Sequence, residues 1–460
     1  MTEPRRAAPV SKPVALTIAG SDSGGGAGIQ ADLKTMEAVG AFGTSAITSL
    51  TAQNTTGVAS THLVPPEEVR AQIDAVTADF DVRAVKTGML AVEPIVDLVA
   101  GRAAETDAPV VVDPVMVAAS GDRLLDPDAE DAYEDLVAEA ALVTPNADET
   151  AVLTGIEIED ETTAREAGEE LLDMGARAAL LKGGHVPGKA VQDVLVTADG
   201  VEMFEHRRID TEATHGSGCT LSSAIAARLA LGDSLVEGVE TGVGFMERAV
   251  RYHLDVGEGP GSVHHLAGIR ERAARSSTVE AVESVVAGLV EADARALVPE
   301  VGLNVVGATP YAEAPGETAA VEGRIARTLS GVRPNRGVRM GASSHVARFL
   351  LAAREHDPDL RFAANVRFDD AIEDALDALD ADAVEIDRSN EPAPGEEGST
   401  MGWAAKRAFE RADGSPAAVF DRGDVGKEAM TRLLAPDAGT LLDRLQAVLD
   451  AVGGNETGGG

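Results

Sequence analysis

A chain of 460 residues with 44% hydrophobic side chains is long and apolar enough for about two to four folded domains. Its formal charge of −38 is spread along the whole length, which argues against nucleic-acid binding, and its single cysteine excludes a disulfide framework or a cysteine-built zinc site. A diffuse acidic surface with scarce lysine and only 3% aromatic residues predicts a protein kept soluble in very high salt, and the lone thiol fits a reducing cytoplasm.

Residues 1–12 read as a flexible N-terminus. Arg5-Arg6 does not open an export signal, because Lys12 interrupts the next stretch and the apolar run 14–19 ends in a glycine loop. No run approaches the roughly 18 apolar residues that span a bilayer, so a membrane partner is not expected. Between 13 and 267, short apolar runs at 14–19, 45–52, 82–86, 110–113, 142–144 and 178–182 read as strands. Amphipathic stretches at 29–39, 67–78, 164–174 and 221–231 read as helices between them. This order predicts an α/β fold, a mostly parallel sheet with helices on both faces and ligands at the carboxyl ends of its strands. The chain turns polar over 268–278, read as a linker; 279–452 reads as a second, smaller α/β domain and 453–460 as a disordered tail.

The first strand runs into Gly20-Ser21-Asp22-Ser23-Gly24-Gly25-Gly26-Ala27-Gly28 and then a helix. No Gly-Lys-Ser/Thr follows, so this is not a P-loop. Gly26-x-Gly28-x-x-Ala31 loosely fits a dinucleotide fingerprint, but strand 45–52 carries no carboxylate for a ribose, which leaves a substrate loop as the better reading. Thr144-Pro145-Asn146-Ala147-Asp148-Glu149 closes a strand and opens a helix. Asn146 and Glu149 there can bind magnesium and phosphate oxygens, or serve only as helix caps. Lys182-Gly183-Gly184-His185 puts a lysine beside glycine amides, again suited to phosphate.

Thr214-His215-Gly216-Ser217-Gly218-Cys219-Thr220 runs directly into the apolar helix 221–231. Converging N–H groups and the helix dipole there bind phosphate or stabilise a thiolate; the alternative for Cys219 is a buried core cysteine. In the second domain, polar residues concentrate in patches, mostly beside glycines, at 299–304, 322–325, 341–348, 361–367, 387–388 and 421–427, and all but the first carry arginines. Their partners are either the chain's own carboxylates or bound phosphate.

Taken in order, 15–34, Leu50-Thr51-Ala52-Gln53-Asn54-Thr55, Lys86-Thr87-Gly88-Met89-Leu90, Thr144-Pro145-Asn146, Lys182 to His185, the cysteine turn and Gly261-Ser262-Val263-His264-His265 resemble the ribokinase-like superfamily. Within it they are similar to the hydroxymethylpyrimidine/phosphomethylpyrimidine kinases of thiamine biosynthesis. The resemblance covers about 255 residues. It implies that Gln53 reads the aminopyrimidine edge, with Gly20, Asp32, Met89 and Val115 completing the pocket. It also implies that Cys219 accepts the alcohol proton as the oxygen attacks the γ-phosphorus of ATP, in the position where most of the superfamily has an aspartate. Thr214, Gly216, Ser217 and Gly218 would bind the transferring group, and Lys182 with magnesium near Asn146 and Glu149 the polyphosphate. Two departures are Ser217, where threonine is common, and Asp113-Pro114, where relatives can have Asp-Thr.

The second-domain patches, with Gly323-Arg324-Ile325, Gly341 to His345, Asn365, Glu397-Gly398, Trp403 and Asp421 to Lys427, resemble the archaeal type of thiamine-phosphate synthase, which occurs fused behind this kinase. This implies a haloarchaeal origin and displacement of pyrophosphate from the pyrimidine methylene by the ring nitrogen of hydroxyethylthiazole phosphate. Arg324 and His345 would be catalytic there, and Ser343, Ser344, Arg348, Asp421 and Lys427 would bind phosphate. His345 has a structural role as its alternative. The expected partners are small-molecule substrates and a second copy of the chain in a homo-oligomer. Two other readings remain: a first domain acting on pyridoxal, and a second domain that senses thiamine phosphate without turnover.

Overall fold

The computed structural model describes residues 8–116, 129, 132–185, 190–379, 382–388, 399–424 and 427–457, and the chain divides into two compact units, Met1–Gly268 and Ile269–Gly460.

In the first unit the strands are β1 (Val14–Asp22), β2 (Phe42–Asn54), β3 (Gly57–Leu63), β4 (Val82–Thr87), β5 (Val110–Val112), β6 (Leu142–Val143), β7 (Ala178–Leu181), β8 (Ala190–Thr197) and β9 (Gly200–Arg207). They form one sheet in the order β3-β2-β1-β4-β5-β6-β7-β8-β9. The six central strands are parallel, while β3, β8 and β9 join antiparallel at the two edges. The central strands are continuous apolar runs because both faces are covered. On one face Leu16, Ile18, Val85, Val110 and Val112 pack under α2 (Pro66–Asp79), α3 (Glu93–Ala104), α4 (Ala132–Ala138) and α6 (Glu161–Asp173). On the other, Ala15, Ala84, Val111, Leu142 and Leu180 meet α1 (Gly28–Val39), α7 (Ser217–Leu231) and α8 (Leu235–Arg251). Helix α5 (Ala147–Thr154) follows β6.

The stretch expected as a linker, 268–278, is helical. It lies inside α9 (Ala267–Glu291), whose Val282, Val285 and Leu289 enter the second core. The polar composition that suggested a loop is that of a helix whose turns are tied by ion pairs, for example Arg275 at i,i+4 with the buried Glu271.

The second unit's main sheet holds β10 (Asn304–Ala308), β11 (Thr318–Val321), β14 (Val338–Met340), β15 (Phe362–Arg367), β16 (Ala383–Glu385), β17 (Ala418–Asp421) and β18 (Met430–Ala435), in the order β14-β11-β10-β15-β18-β17-β16. A hairpin of β12 (Ile325–Thr328) and β13 (Gly331–Pro334) stands beside it in the sequence. All pairs but β16 with β17 are antiparallel. Alternation again separates two cores: Val305, Ala364, Leu433 and Phe420 face α9, α11 (Asp370–Ala375) and α13 (Ala438–Thr457). Val306, Ala363, Leu434 and Val419 face α10 (His345–Arg354) and α12 (Ser399–Arg411). Helix α13 continues to Thr457, past the point where the tail was expected to begin. Among the described residues no helix is long and apolar enough to cross a membrane.

Candidate functional site

A cavity of about 500 Å³ opens at the carboxyl ends of β1, β5, β6 and β7, against the first turn of α7. It is lined by Gly20, Gln53, Met89, Val115, Asn146, Glu149, Lys182, Thr214, Gly216, Ser217, Gly218 and Cys219, which the sequence had singled out. Asp22, Asp113, Asp148 and His215 line it as well, without a role assigned from sequence. Asp113 ends the strand read at 110–113, where the strand-end rule would have found it, and His215 lies inside the cysteine turn already singled out.

The turn depends on Gly216, whose φ is +81 and where a Cβ would lie 1.9 Å from the Gly26 carbonyl oxygen, so only glycine lets the two glycine loops meet. Helix α7 starts one residue later, which places Cys219 in its first turn and half-buried. The expectation of a stabilised thiolate is not met. Burial pushes the Cys219 thiol up to about 11; Lys86 opposes this, while Asp32 and Asp113 add to it.

Asp32 does not complete the pocket. It is fully buried, where it accepts hydrogen bonds from Thr17 Oγ1 at 2.6 Å, Ser223 Oγ at 2.6 Å and Lys86 Nζ at 2.9 and 3.0 Å. Lys86 is equally buried; burial works against its charge, but Asp32 first, then Cys219 and Asp113, hold it above its ordinary range. The pair is a buried brace under the cysteine turn.

Asn146 and Glu149 form a capping box on α5. Asn146 Oδ1 accepts from Glu149 N at 2.9 Å and Glu149 Oε2 from Asn146 N at 2.8 Å. Asn146 also bridges to Lys182 at the neighbouring strand end. Lys182 Nζ donates to Asp113 Oδ1 at 3.0 Å and lies 3.7 Å from Glu149 Oε2. Burial and Asp113 raise Glu149 to about 7, against the pull of Lys182. Among the described residues no three His, Cys, Asp or Glu side chains converge as a metal site.

In the second unit a cavity of about 640 Å³ is lined by Arg324, Ser343, Ser344, His345, Arg348 and Lys427, as the sequence suggested, and also by Asn304, Asn365, Arg388 and Arg432. Arg324 has a left-handed backbone, φ 68, rare for a non-glycine residue, and its guanidinium donates to the Val301 carbonyl. His345 opens α10 and is exposed. Ser344 holds the N-cap position without a capping bond, its Oγ 3.3 Å from His345 Nδ1. Asp421 was expected to bind phosphate, but it is fully buried, within 2.8 Å of Arg388 Nε and 3.1 Å of Arg432 Nη1. It fixes the two arginines that face the cavity. Glu397 and Gly398 lie outside the described residues.

The chain matches the phosphomethylpyrimidine kinase family over residues 22–264, more than half its length. It belongs to that family. Residues 281–447 match the thiamine-phosphate synthase ThiN family. A hydroxymethylpyrimidine/phosphomethylpyrimidine kinase of Streptomyces coelicolor is 48% identical over 258 residues, 56% of this chain and 96% of that protein. The thiamine biosynthesis bifunctional protein ThiED of Geobacter sulfurreducens is 47% identical over 263 residues, 57% of this chain and 54% of that protein. Among solved structures, a Bacillus subtilis pyridoxal kinase in complex with ADP superposes with a TM-score of 0.52 at 34% identity, over 55% of this chain and 98% of that one. A ribokinase-like kinase domain of the pyrimidine type is thus fused to a thiamine-phosphate synthase domain, two activities that belong to thiamine biosynthesis.

Proposed function

We propose that the first cavity transfers the γ-phosphoryl group of ATP to hydroxymethylpyrimidine and then to its monophosphate, and that the second joins the resulting pyrophosphate to hydroxyethylthiazole phosphate. The observation that carries the first half is the cysteine turn. Its amides open α7 directly into the cavity that Gln53 also lines, so an alcohol read by Gln53 faces a ready phosphate cradle. Cys219 is the one thiol there and takes the hydroxyl proton. Burial raises that thiol to about 11, so the acceptor is its thiolate, a minor form near neutrality that takes the hydroxyl proton and becomes the thiol as the oxygen bonds to phosphorus. Lys182, with the turn amides, neutralises the transferring phosphate.

The donor set fits magnesium carried in with the nucleotide, since that ion needs only one or two protein carboxylates beside phosphate and water oxygens. Asp113 and Glu149, on either side of Lys182, would hold it, and it would supply charge neutralisation of the polyphosphate. In the second cavity Arg324, Arg348 and Lys427 bind the two phosphorylated substrates and His345 assists the departing pyrophosphate, since the attacking thiazole nitrogen carries no proton to remove.

Supplying the pyrimidine alcohol, thiazole phosphate, ATP and magnesium to the full chain tests both halves; thiamine phosphate is expected. Formation of the pyrimidine pyrophosphate without thiamine phosphate would leave only a kinase. Running the assay from 0.1 to several molar potassium chloride tests the inferred salt adaptation, and a protein that keeps its fold and rate at low salt contradicts it. The likeness to a pyridoxal kinase favours one second reading, phosphorylation of pyridoxal at the same site, and the same assay with pyridoxal decides it.

A further inference from the structure

Gln53 is held at both ends of its backbone. Ser23 Oγ donates to the Gln53 carbonyl at 2.6 Å and accepts from the Gln53 N–H at 2.8 Å, so the glycine loop fixes the residue and only the side-chain amide can turn. Its two terminal atoms have different neighbours. One, placed as Nε2, is 3.3 Å from His215 Nε2; the other, placed as Oε1, is 3.1 Å from Thr51 Oγ1. Amide oxygen and nitrogen have nearly the same shape, so the surrounding donors and acceptors decide which is which.

Thr51 has a single hydroxyl proton, and the Ser21 carbonyl oxygen lies 2.7 Å from Thr51 Oγ1. A carbonyl can only accept, so the proton goes there. Thr51 Oγ1 then meets Gln53 as an acceptor and requires the amide nitrogen. On the other side His215 Nε2 is 3.2 Å from Asp22 Oδ2. Asp22 also accepts from Gly24 N at 2.7 Å, Gly26 N at 2.9 Å and Ala27 N at 2.8 Å, the environment of an ionised carboxylate. Against that carboxylate His215 Nε2 must carry its proton; it then has no lone pair to accept an amide N–H, so the Gln53 atom that faces it is the oxygen. Two independent constraints give the same answer, the reverse of the placed assignment.

We infer that Thr51 and the Asp22–His215 pair lock the Gln53 amide with its oxygen on the His215 side and its nitrogen on the Thr51 side, and that this lock sets which ring the kinase accepts. The inference rests on the reading of Gln53 as the pyrimidine-binding residue. An aminopyrimidine offers an amino donor beside a ring-nitrogen acceptor. The locked amide matches that order in one orientation, with the amino group toward His215. The 4-oxo analogue, a carbonyl beside a ring N–H, offers the reverse order. A free amide would turn to accept it; a locked one leaves both pairs mismatched. Thr51 and Asp22 act through Gln53 and are positioning residues.

The test compares kcat/KM for the 4-amino and 4-oxo pyrimidine alcohols. The wild-type chain should favour the amino substrate by about 100-fold or more. Thr51→Val and His215→Phe each remove one constraint and should lower that ratio about tenfold, through KM rather than kcat, with the KM for ATP unchanged. Thr51→Ser, which keeps the hydroxyl, should restore it. If Gln53→Ala raises KM for the amino alcohol but the ratio is the same in both variants, Gln53 binds the ring without a lock and the inference is overturned. If the wild-type chain ignores the amino alcohol, or Gln53→Ala leaves its KM unchanged, the substrate reading itself falls and takes the inference with it.

Discussion

The two cavities differ most in their carboxylates. The kinase cavity is lined by four, Asp22, Asp113, Asp148 and Glu149, against Lys182 and His215. The described lining of the second cavity has none, and instead gathers Arg324, Arg348, Arg388, Arg432, Lys427 and His345. In a chain of net charge −38, a carboxylate-free surface of that size has to be selected. On the proposed function it is where phosphate groups would meet guanidinium directly. On the proposed function the first cavity would meet phosphate differently, through backbone amides at a helix start and through carboxylates that call for a cation between them and the nucleotide. The same class of ligand is thus held by two strategies, and each predicts its own failure.

The largest effects should come from removing the group each cavity relies on. Cys219→Ala should lower kinase turnover by about 10²- to 10⁴-fold, the usual worth of a proton-accepting side chain, while the chain still joins supplied pyrimidine pyrophosphate to the thiazole. Since burial lifts the thiol to about 11, the thiolate fraction grows throughout the neutral range. Wild-type kcat/KM should therefore climb with pH without a plateau between 6.5 and 9, and the Cys219→Ala profile should be flatter. A plateau near neutrality would show that another group takes the proton. Arg324→Ala should cost the joining step about 10²- to 10³-fold and spare the kinase, as for loss of a transition-state donor. Arg324→Lys should not rescue it, because an ammonium cannot reproduce a two-point contact.

The second strategy, like the first, rests on a buried carboxylate. Asp421, fully buried, lies against both Arg388 and Arg432 where they face the cavity. Asp421→Asn should destabilise the second unit by about 3 to 5 kcal/mol, the range for a broken buried ion pair, and should weaken joining while the first unit keeps its melting transition and its kinase rate. An unchanged second transition in calorimetry would mean that the arginines do not depend on it.

The central strands of the first unit, their mostly parallel arrangement and most of its cavity were legible in the sequence because buried parallel strands are apolar runs and each ends in a short polar signature. Asp32 was misplaced because a sequence shows that a carboxylate follows a glycine loop but not which face of α1 it takes; Lys86, read as a strand end and as part of the Lys86 to Leu90 motif with no role of its own, is what draws it inward. Asp421 was misread for the same reason, its partners Arg388 and Arg432 lying on separate segments. The antiparallel strands β3, β8 and β9 were missed; in the edge strand β3 the last five residues are exposed, and the pattern is that of a loop. The helix across 268–278 shows the converse, a polar stretch whose anchoring apolar residues come only later, from Val282 onward.

A smaller effect separates the two units by pH. His265, in the kinase unit, is buried with Nε2 unpartnered, and burial, helped by Lys34 and His264, brings it down to about 4 from an ordinary 6.5. Above pH 6.5 the ring is neutral folded or unfolded, and its contribution is complete. Between 6.5 and 4 the unfolded chain takes up a proton that the folded chain refuses, so stability falls as the pH falls, by about 3 kcal/mol across that window. Urea midpoints of the first transition should therefore drop between pH 7 and 5 in the wild-type chain and drop less in His265→Phe, with the second transition following neither. An equal drop in both chains would mean that the carboxylates of the acidic surface, not this ring, set the acid limit of the kinase unit.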